Sequence, residues 1–86
     1  MYNIIERYMN MLKKEDVNNF AIKKNVFLSE SELNFTYEFL KKNWQDILKN
    51  PNVFDINHYK NQFSEENFYK VKKIFDEYYQ KFKSFI

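Results

Sequence analysis

Residues 29–51 read SESELNFTYEFLKKNWQDILKNP, and this stretch decides the fold. Ser29 and Glu32 stand three apart, the spacing of a capping box. A serine there accepts a backbone bond at the third helical position, and a glutamate returns one to the cap. Leu33, Tyr37, Leu40, Trp44, Ile47 and Leu48 then recur at helical spacing and form one apolar stripe. Asn50-Pro51 closes the run, because a residue before proline avoids the helical region. The spacing predicts one long helix from about residue 30 to Lys49.

Both flanks also read as helices. Towards the N-terminus, Tyr2–Leu12 has Met1, Tyr2, Ile4, Ile5, Tyr8, Met9, Met11 and Leu12 filling about half of its circumference. Asp16 is a candidate N-cap for a short second helix. Its expected inward residues are Phe20, Ala21 and Ile22, with Lys23 and Lys24 in its last turn. Asn25 is the expected left-handed stop, standing in for glycine. Val26-Phe27-Leu28 then forms an extended, buried connector. Towards the C-terminus, Val53 and Phe54 anchor a loop, and Asp55 caps a short fourth helix carrying Ile56, Tyr59 and Phe63. Ser64, followed by Glu65 and Glu66, opens a last helix that runs to the end. Its residues Phe68, Val71, Phe75, Tyr78, Phe82 and Phe85 alternate steps of three and four. The expectation is an all-α fold: a compact bundle of about five helices, one domain over 1–86, with no sheet. Its long third and fifth helices are expected to pack antiparallel or crossed through Leu40, Trp44, Phe75, Tyr78 and Phe82.

Composition narrows the function. The 86 residues contain no glycine and one proline. Glycine supplies the backbone freedom of phosphate-cradling loops, so there is no P-loop and no GxGxxG dinucleotide fingerprint. There is no cysteine, hence no disulfide framework and no thiolate metal site. Ten phenylalanines, seven tyrosines and one tryptophan point to an aromatic core. Fourteen basic and 12 acidic side chains leave a net charge of +2, too balanced to imply a nucleic-acid partner alone. Glu6 and Arg7 interrupt the first residues, so no signal peptide is expected. No run approaches the ~20 apolar residues of a membrane span. A cytoplasmic location and no membrane partner are the expectation.

Candidate chemistry is sparse. His58, the one histidine, lies a turn after Asp55, but a metal site wants three or four convergent ligands. Ser29 and Ser64 sit where caps belong. Glu30/Glu32 and Glu65/Glu66 fall in first helical turns, where the macrodipole favours negative charge. No catalytic residue, metal ligand or cofactor is assigned, and an enzyme is not expected. The lysine doublets Lys13/Lys14, Lys23/Lys24, Lys41/Lys42 and Lys72/Lys73 suggest backbone contacts to nucleic acid. Lys23, Lys24, Tyr69, Lys70 and Lys73 are the candidates. Against this, Lys13, Lys14, Lys23 and Lys24 read as helix C-terminal cations. Glu66–Lys70, Lys73–Glu77 and Glu77–Lys81 stand at i,i+4 and neutralise one another. The first helix is amphipathic but reads as a core helix with a wide buried arc rather than a membrane-surface helix.

Phe35 and Phe39 are the remaining feature. At 100° per residue they stand about 200° and 240° from Leu33, opposite the apolar stripe. Glu38, Lys42 and Asp46 surround them. A helix apolar on two faces is either central in its fold or carries a partner patch. Phe35, Phe39, Lys42 and Asp46 are therefore the candidate partner contact.

The order of elements resembles the YqfT-like family, small helical proteins of unknown function from Gram-positive bacteria with AT-rich genomes. The resemblance covers nearly the whole chain. It rests on the short first helix, the Asp16–Asn25 helix, the Val26-Phe27-Leu28-Ser29 entry, the Asn52-Val53-Phe54-Asp55 hinge and the closing Phe63-Ser64 to Ile74-Phe75 helix. The unusually aromatic third and fifth helices depart from the family pattern. The resemblance implies a cytoplasmic, helical, non-enzymatic protein and carries over no functional residues. The leading expectation is a non-catalytic protein–protein interaction or accessory module, binding an unidentified protein or itself. The alternative is a weak nucleic-acid binder using Lys/Tyr surface patches.

Overall fold

A computed structural model describes residues 2–50 and 54–83. The chain is all-α, with no strand among the described residues. Among the described residues four α-helices, α1 (Tyr2–Met11), α2 (Lys14–Lys23), α3 (Glu30–Lys49) and α4 (Glu65–Lys83), follow one another in chain order. A 3-10 helix (Ile56–Gln62) stands between α3 and α4. Pro51, Asn52 and Val53 lie outside the described residues, as does Phe85.

Helix α3 is central. One side carries the buried cluster of Met9, Leu12, Val17 and Trp44, with Ile5, Leu33, Tyr37, Leu40 and Leu48 packed against it. Leu33, Tyr37, Leu40, Trp44 and Leu48 of the stripe expected from the sequence lie here, and α1 and α2 cover them. The opposite side meets the 3-10 helix, on which α4 also rests. Trp44 therefore packs against the N-terminal helices, whereas Phe75 meets Phe54 at 4.7 Å between ring centroids. The sequence expectation joined Trp44, Phe75 and Tyr78 in one seam, whereas Trp44 packs with Met9, Leu12 and Val17, Phe75 with Phe54 and Tyr78 edge-on with Phe20 of α2 at 5.6 Å. Phe82 has no described side chain.

Local chemistry sets the helix ends. Asn25 adopts φ 65°. The Val26 N–H donates to the Ala21 carbonyl at 2.8 Å, and the Asn25 N–H to Ile22 at 2.9 Å. This bonding pair is a Schellman stop, and Ala21 and Val26 are both buried beneath it. The start of α2 differs from expectation. Lys13 is the N-cap, and Asp16 sits three residues on, its Oδ2 accepting the Lys13 N–H at 2.9 Å. Lys13 and Lys14 thus open a helix rather than close one. Glu15 and Asp16 in the same turn offset this placement of positive charge. The end of α1 has no cation of its own in its last turn. Lys41 of α3 supplies one, its Nζ donating to the Met9 carbonyl at 2.9 Å.

The Ser29–Glu32 capping box forms in full: Glu32 N–H donates to Ser29 Oγ at 3.2 Å, and Ser29 N–H to Glu32 Oε1 at 2.8 Å. Glu32 also reaches beyond its own helix. Its Oε2 accepts the Ser64 N–H at 2.7 Å, and its Oε1 accepts Asn67 Nδ2 at 2.8 Å. Ser64 in turn caps α4, its Oγ accepting the Asn67 N–H at 3.1 Å. One carboxylate, only 5% exposed, thus ties the N-termini of both long helices together.

Candidate interaction surface

The apolar pattern of α1 is wider than the core it serves. Met9 and Leu12 are buried and Ile5 is half-buried, but Ile4, Tyr8 and Met11 are 71%, 62% and 71% exposed. These three follow an i, i+4, i+7 spacing and share one face. On α2 the inward residues are Val17 and Ala21, whereas Phe20 and Ile22 stay 41% and 47% exposed. This corrects the expectation that Phe20 and Ile22 face the core. Phe27, expected in a buried connector, is also mostly exposed, and only Val26 of that segment is fully buried.

The exposed faces of α1 and α2 adjoin. Tyr8, Asp16, Asn19, Phe20, Ile22 and Lys23 line one shallow groove of about 360 Å³. The sequence contained the signal for it. Three consecutive apolar residues, Phe20 to Ile22, span too wide an arc to face inward together. A short peripheral helix that is apolar over half its circumference likewise exceeds what one contact can cover.

Phe35 and Phe39 lie elsewhere. Each is half-buried, and their rings stack on each other at 5.8 Å. Phe35 meets Tyr59 at 5.6 Å and Phe63 at 5.7 Å. Phe39 meets Tyr59 at 4.7 Å and Phe54 at 5.4 Å. The central-helix alternative describes this packing, in which both rings are engaged by the chain's own aromatic residues. Lys42 and Asp46 remain exposed beside them.

The lysine candidates divide. Lys24 lies over two rings, 5.9 Å from Phe20 and 5.3 Å from Tyr78, and Lys81 lies 5.0 Å from the same Tyr78 ring. Lys70 donates to the Asn25 carbonyl at 3.2 Å and pairs with Glu66 at 3.6 Å. Lys24 and Lys81 thus meet over one Tyr78 ring, and Lys70 reaches the end of α2 at Asn25. Lys23 lines the groove beside Tyr8 instead. Tyr69 is exposed on a separate depression with Asn57, Lys60 and Lys72, and Lys73 is exposed. Of the three i,i+4 pairs expected on α4, Glu66–Lys70 closes into an ion pair. Lys81 turns to an aromatic face instead.

The polar candidates hold structural positions. Asp55 Oδ1 accepts the Asn57 N–H at 3.0 Å. His58 Nε2 lies 4.0 Å from Asp55 Oδ2, both side chains mostly exposed. Among the described residues no three His, Cys, Asp or Glu side chains gather as a metal site would require. No helix among them is long and apolar enough to cross a membrane. Burial pushes the Glu32 carboxyl up, but the Ser29 and Ser64 N–H groups, the Asn67 amide and the Ser29 hydroxyl outweigh it. Together they hold the carboxyl below its ordinary 4.5.

Comparison with protein-family models, curated proteins and solved structures found no match to this chain.

Proposed function

We propose that this chain is a small protein–protein interaction module without catalysis of its own, and that the α1–α2 face is its contact surface. The carrying observation is the exposure of Tyr8, Phe20 and Ile22 along one groove, with Ile4 and Met11 exposed on the α1 face that Tyr8 shares. Side-chain-bearing residues of this kind offer on the order of 200 Å² each, so the exposed fractions leave roughly 500–600 Å² of largely apolar surface. That lies at the upper end of the largest patch on an ordinary monomer, about 300–600 Å². Capping roles account for Ser29, Glu32, Asp55 and Ser64. A cytoplasmic setting and kinship with the YqfT-like proteins belong to the same reading.

The test is comparative capture. Tagged full-length chain and a Tyr8→Glu, Met11→Glu variant, both shown folded by circular dichroism, are used as baits. Proteins retained by the first and lost by the second, at low and high salt alike, support the reading. Identical capture by both baits overturns it.

The placing of Lys24 and Lys81 beside one another over Tyr78 favours a second reading, contact with a single-stranded nucleic-acid backbone along the α2–α4 seam. Such binding weakens steeply with salt. A labelled oligonucleotide that binds at low salt, and not after Lys24→Glu with Lys81→Glu, supports it.

A further inference from the structure

We infer that the occupant of the α1–α2 face is a second copy of this chain, docked across a two-fold axis with the α2 helices antiparallel. The inference rests on the reading of this face as a contact surface and names its partner. The charged groups lining the groove are Asp16 and Lys23. They stand seven residues apart on one face of α2, about 10 Å at 1.5 Å rise per residue. Asn19 and Phe20 lie at the midpoint between them, on the same face by the i, i+3, i+4, i+7 spacing. A two-fold axis through that midpoint sets Asp16 of each copy opposite Lys23 of the other, twice. The surface is therefore complementary to itself, as an isologous interface requires. A uniformly acidic partner would meet Asp16 with like charge, and a uniformly basic one would meet Lys23.

The groups are free to pair in this way. Asp16 Oδ2 is held by the Lys13 N–H, which leaves Oδ1 for an ammonium. Lys23 is exposed, unlike Lys24, which lies over aromatic rings. Tyr8, Phe20 and Ile22 enter the shared interface, and Met11 and Ile4 form its apolar margin along α1. The five apolar residues of the face expose about 500 Å², short of the ~800 Å² per partner of a standard interface, so the polar rim of Asp16, Asn19 and Lys23 has to contribute and the dimer is expected to be weak.

Sedimentation of the full-length chain over a concentration series tests this. The expected result is a reversible monomer–dimer equilibrium in the micromolar range. Tyr8→Glu should shift it to monomer with unchanged helicity. Lys23→Glu and Asp16→Lys should each weaken the homodimer about tenfold through like-charge contacts. Mixed one to one, these two variants should associate again, because each Asp16–Lys23 contact is restored or reversed in the heterodimer. Should Asp16→Lys fail to fold, Asp16→Asn keeps the bond to Lys13 and should still weaken the homodimer. A wild type that stays monomeric, or dimers indifferent to Tyr8→Glu, overturn the inference. So does a mixture that does not recover association. A monomeric wild type whose capture of other proteins still depends on Tyr8 and Met11 overturns the self-docking alone and leaves the interaction-module reading standing.

Discussion

Glu32 shows how much a single side chain can hold in a chain without disulfides. Its two oxygens accept from Ser29, Ser64 and Asn67, so both long helices start from one buried anion. Glu32→Gln keeps the shape but turns an NH₂ group towards donors. Unsatisfied buried groups cost about 1–3 kcal/mol each, and urea denaturation at pH 7 should show a loss of about 2–3 kcal/mol. An unchanged midpoint would place the carboxylate in solvent. The pH dependence follows from the same bonds. The folded carboxyl lies below its ordinary 4.5, so its stabilisation is fully present above that value. It is lost as pH falls through the folded pKa. Glu32→Gln should therefore flatten the acid side of a stability profile below about pH 4.5 and leave the neutral side parallel to wild type. The sequence reveals only half of this arrangement. Ser29 and Glu32 announce a local capping box by their spacing. Nothing in the spacing of residues 29–32 announces a bond to Ser64, because a contact across 32 residues exists only once the helices have packed.

At the scale of elements, ends governed by neighbouring residues are legible and ends governed by distant ones are not. Asn25 is identifiable as a stop because a chain without glycine has few alternatives for a left-handed residue. Its φ of 65° makes a direct prediction. Asn25→Gly should raise stability by about 0.5–1 kcal/mol, and Asn25→Val should lower it by at least about 1 kcal/mol, since a β-branched residue resists that conformation. Equal melting temperatures for the two variants would contradict the Schellman geometry. The cap on α1 is of the other kind. Lys41, 32 residues after Met9, donates to its carbonyl, and no local pattern marks it. Lys41→Met retains the aliphatic stem and removes the donor. It should cost about 1 kcal/mol and speed hydrogen exchange in α1 more than in α4. Exchange that rises equally in both helices would show that Lys41 acts on the whole fold instead. The misplaced start of α2 has a related cause. Lys13 and Lys14 resemble C-terminal cations, and the Asp16 carboxylate caps from the third position rather than from the cap itself.

The whole molecule is organised by α3, which among the described residues carries a buried cluster on one side and an aromatic cluster on the other. Trp44 belongs to the first, with Met9, Leu12 and Val17. Phe39 belongs to the second, within 6 Å of the Phe35, Phe54 and Tyr59 ring centroids. Periodicity showed both faces of α3 to be apolar, but it does not reveal which element covers which face. That choice depends on how the connections turn: the sequence expectation set Trp44 against the last helix, and Trp44 packs with residues of α1 and α2. Two clusters on one helix make a prediction that a single core does not. Trp44→Ala should cost about 3–5 kcal/mol. Phe39→Ala, at a half-buried site, should cost about 2–3 kcal/mol. Well-separated sites add to within about 0.5 kcal/mol, so milder changes, Trp44→Phe with Phe39→Leu, should be additive in urea denaturation. The double change Phe35→Ser, Phe39→Ser places two hydroxyls in the second cluster. A chain of 86 residues has at most roughly 4–13 kcal/mol of stability at 0.05–0.15 kcal/mol per residue, so that variant should lose its cooperative melt. A double-serine variant that melts like wild type would return Phe35 and Phe39 to the surface and restore them as the partner contact.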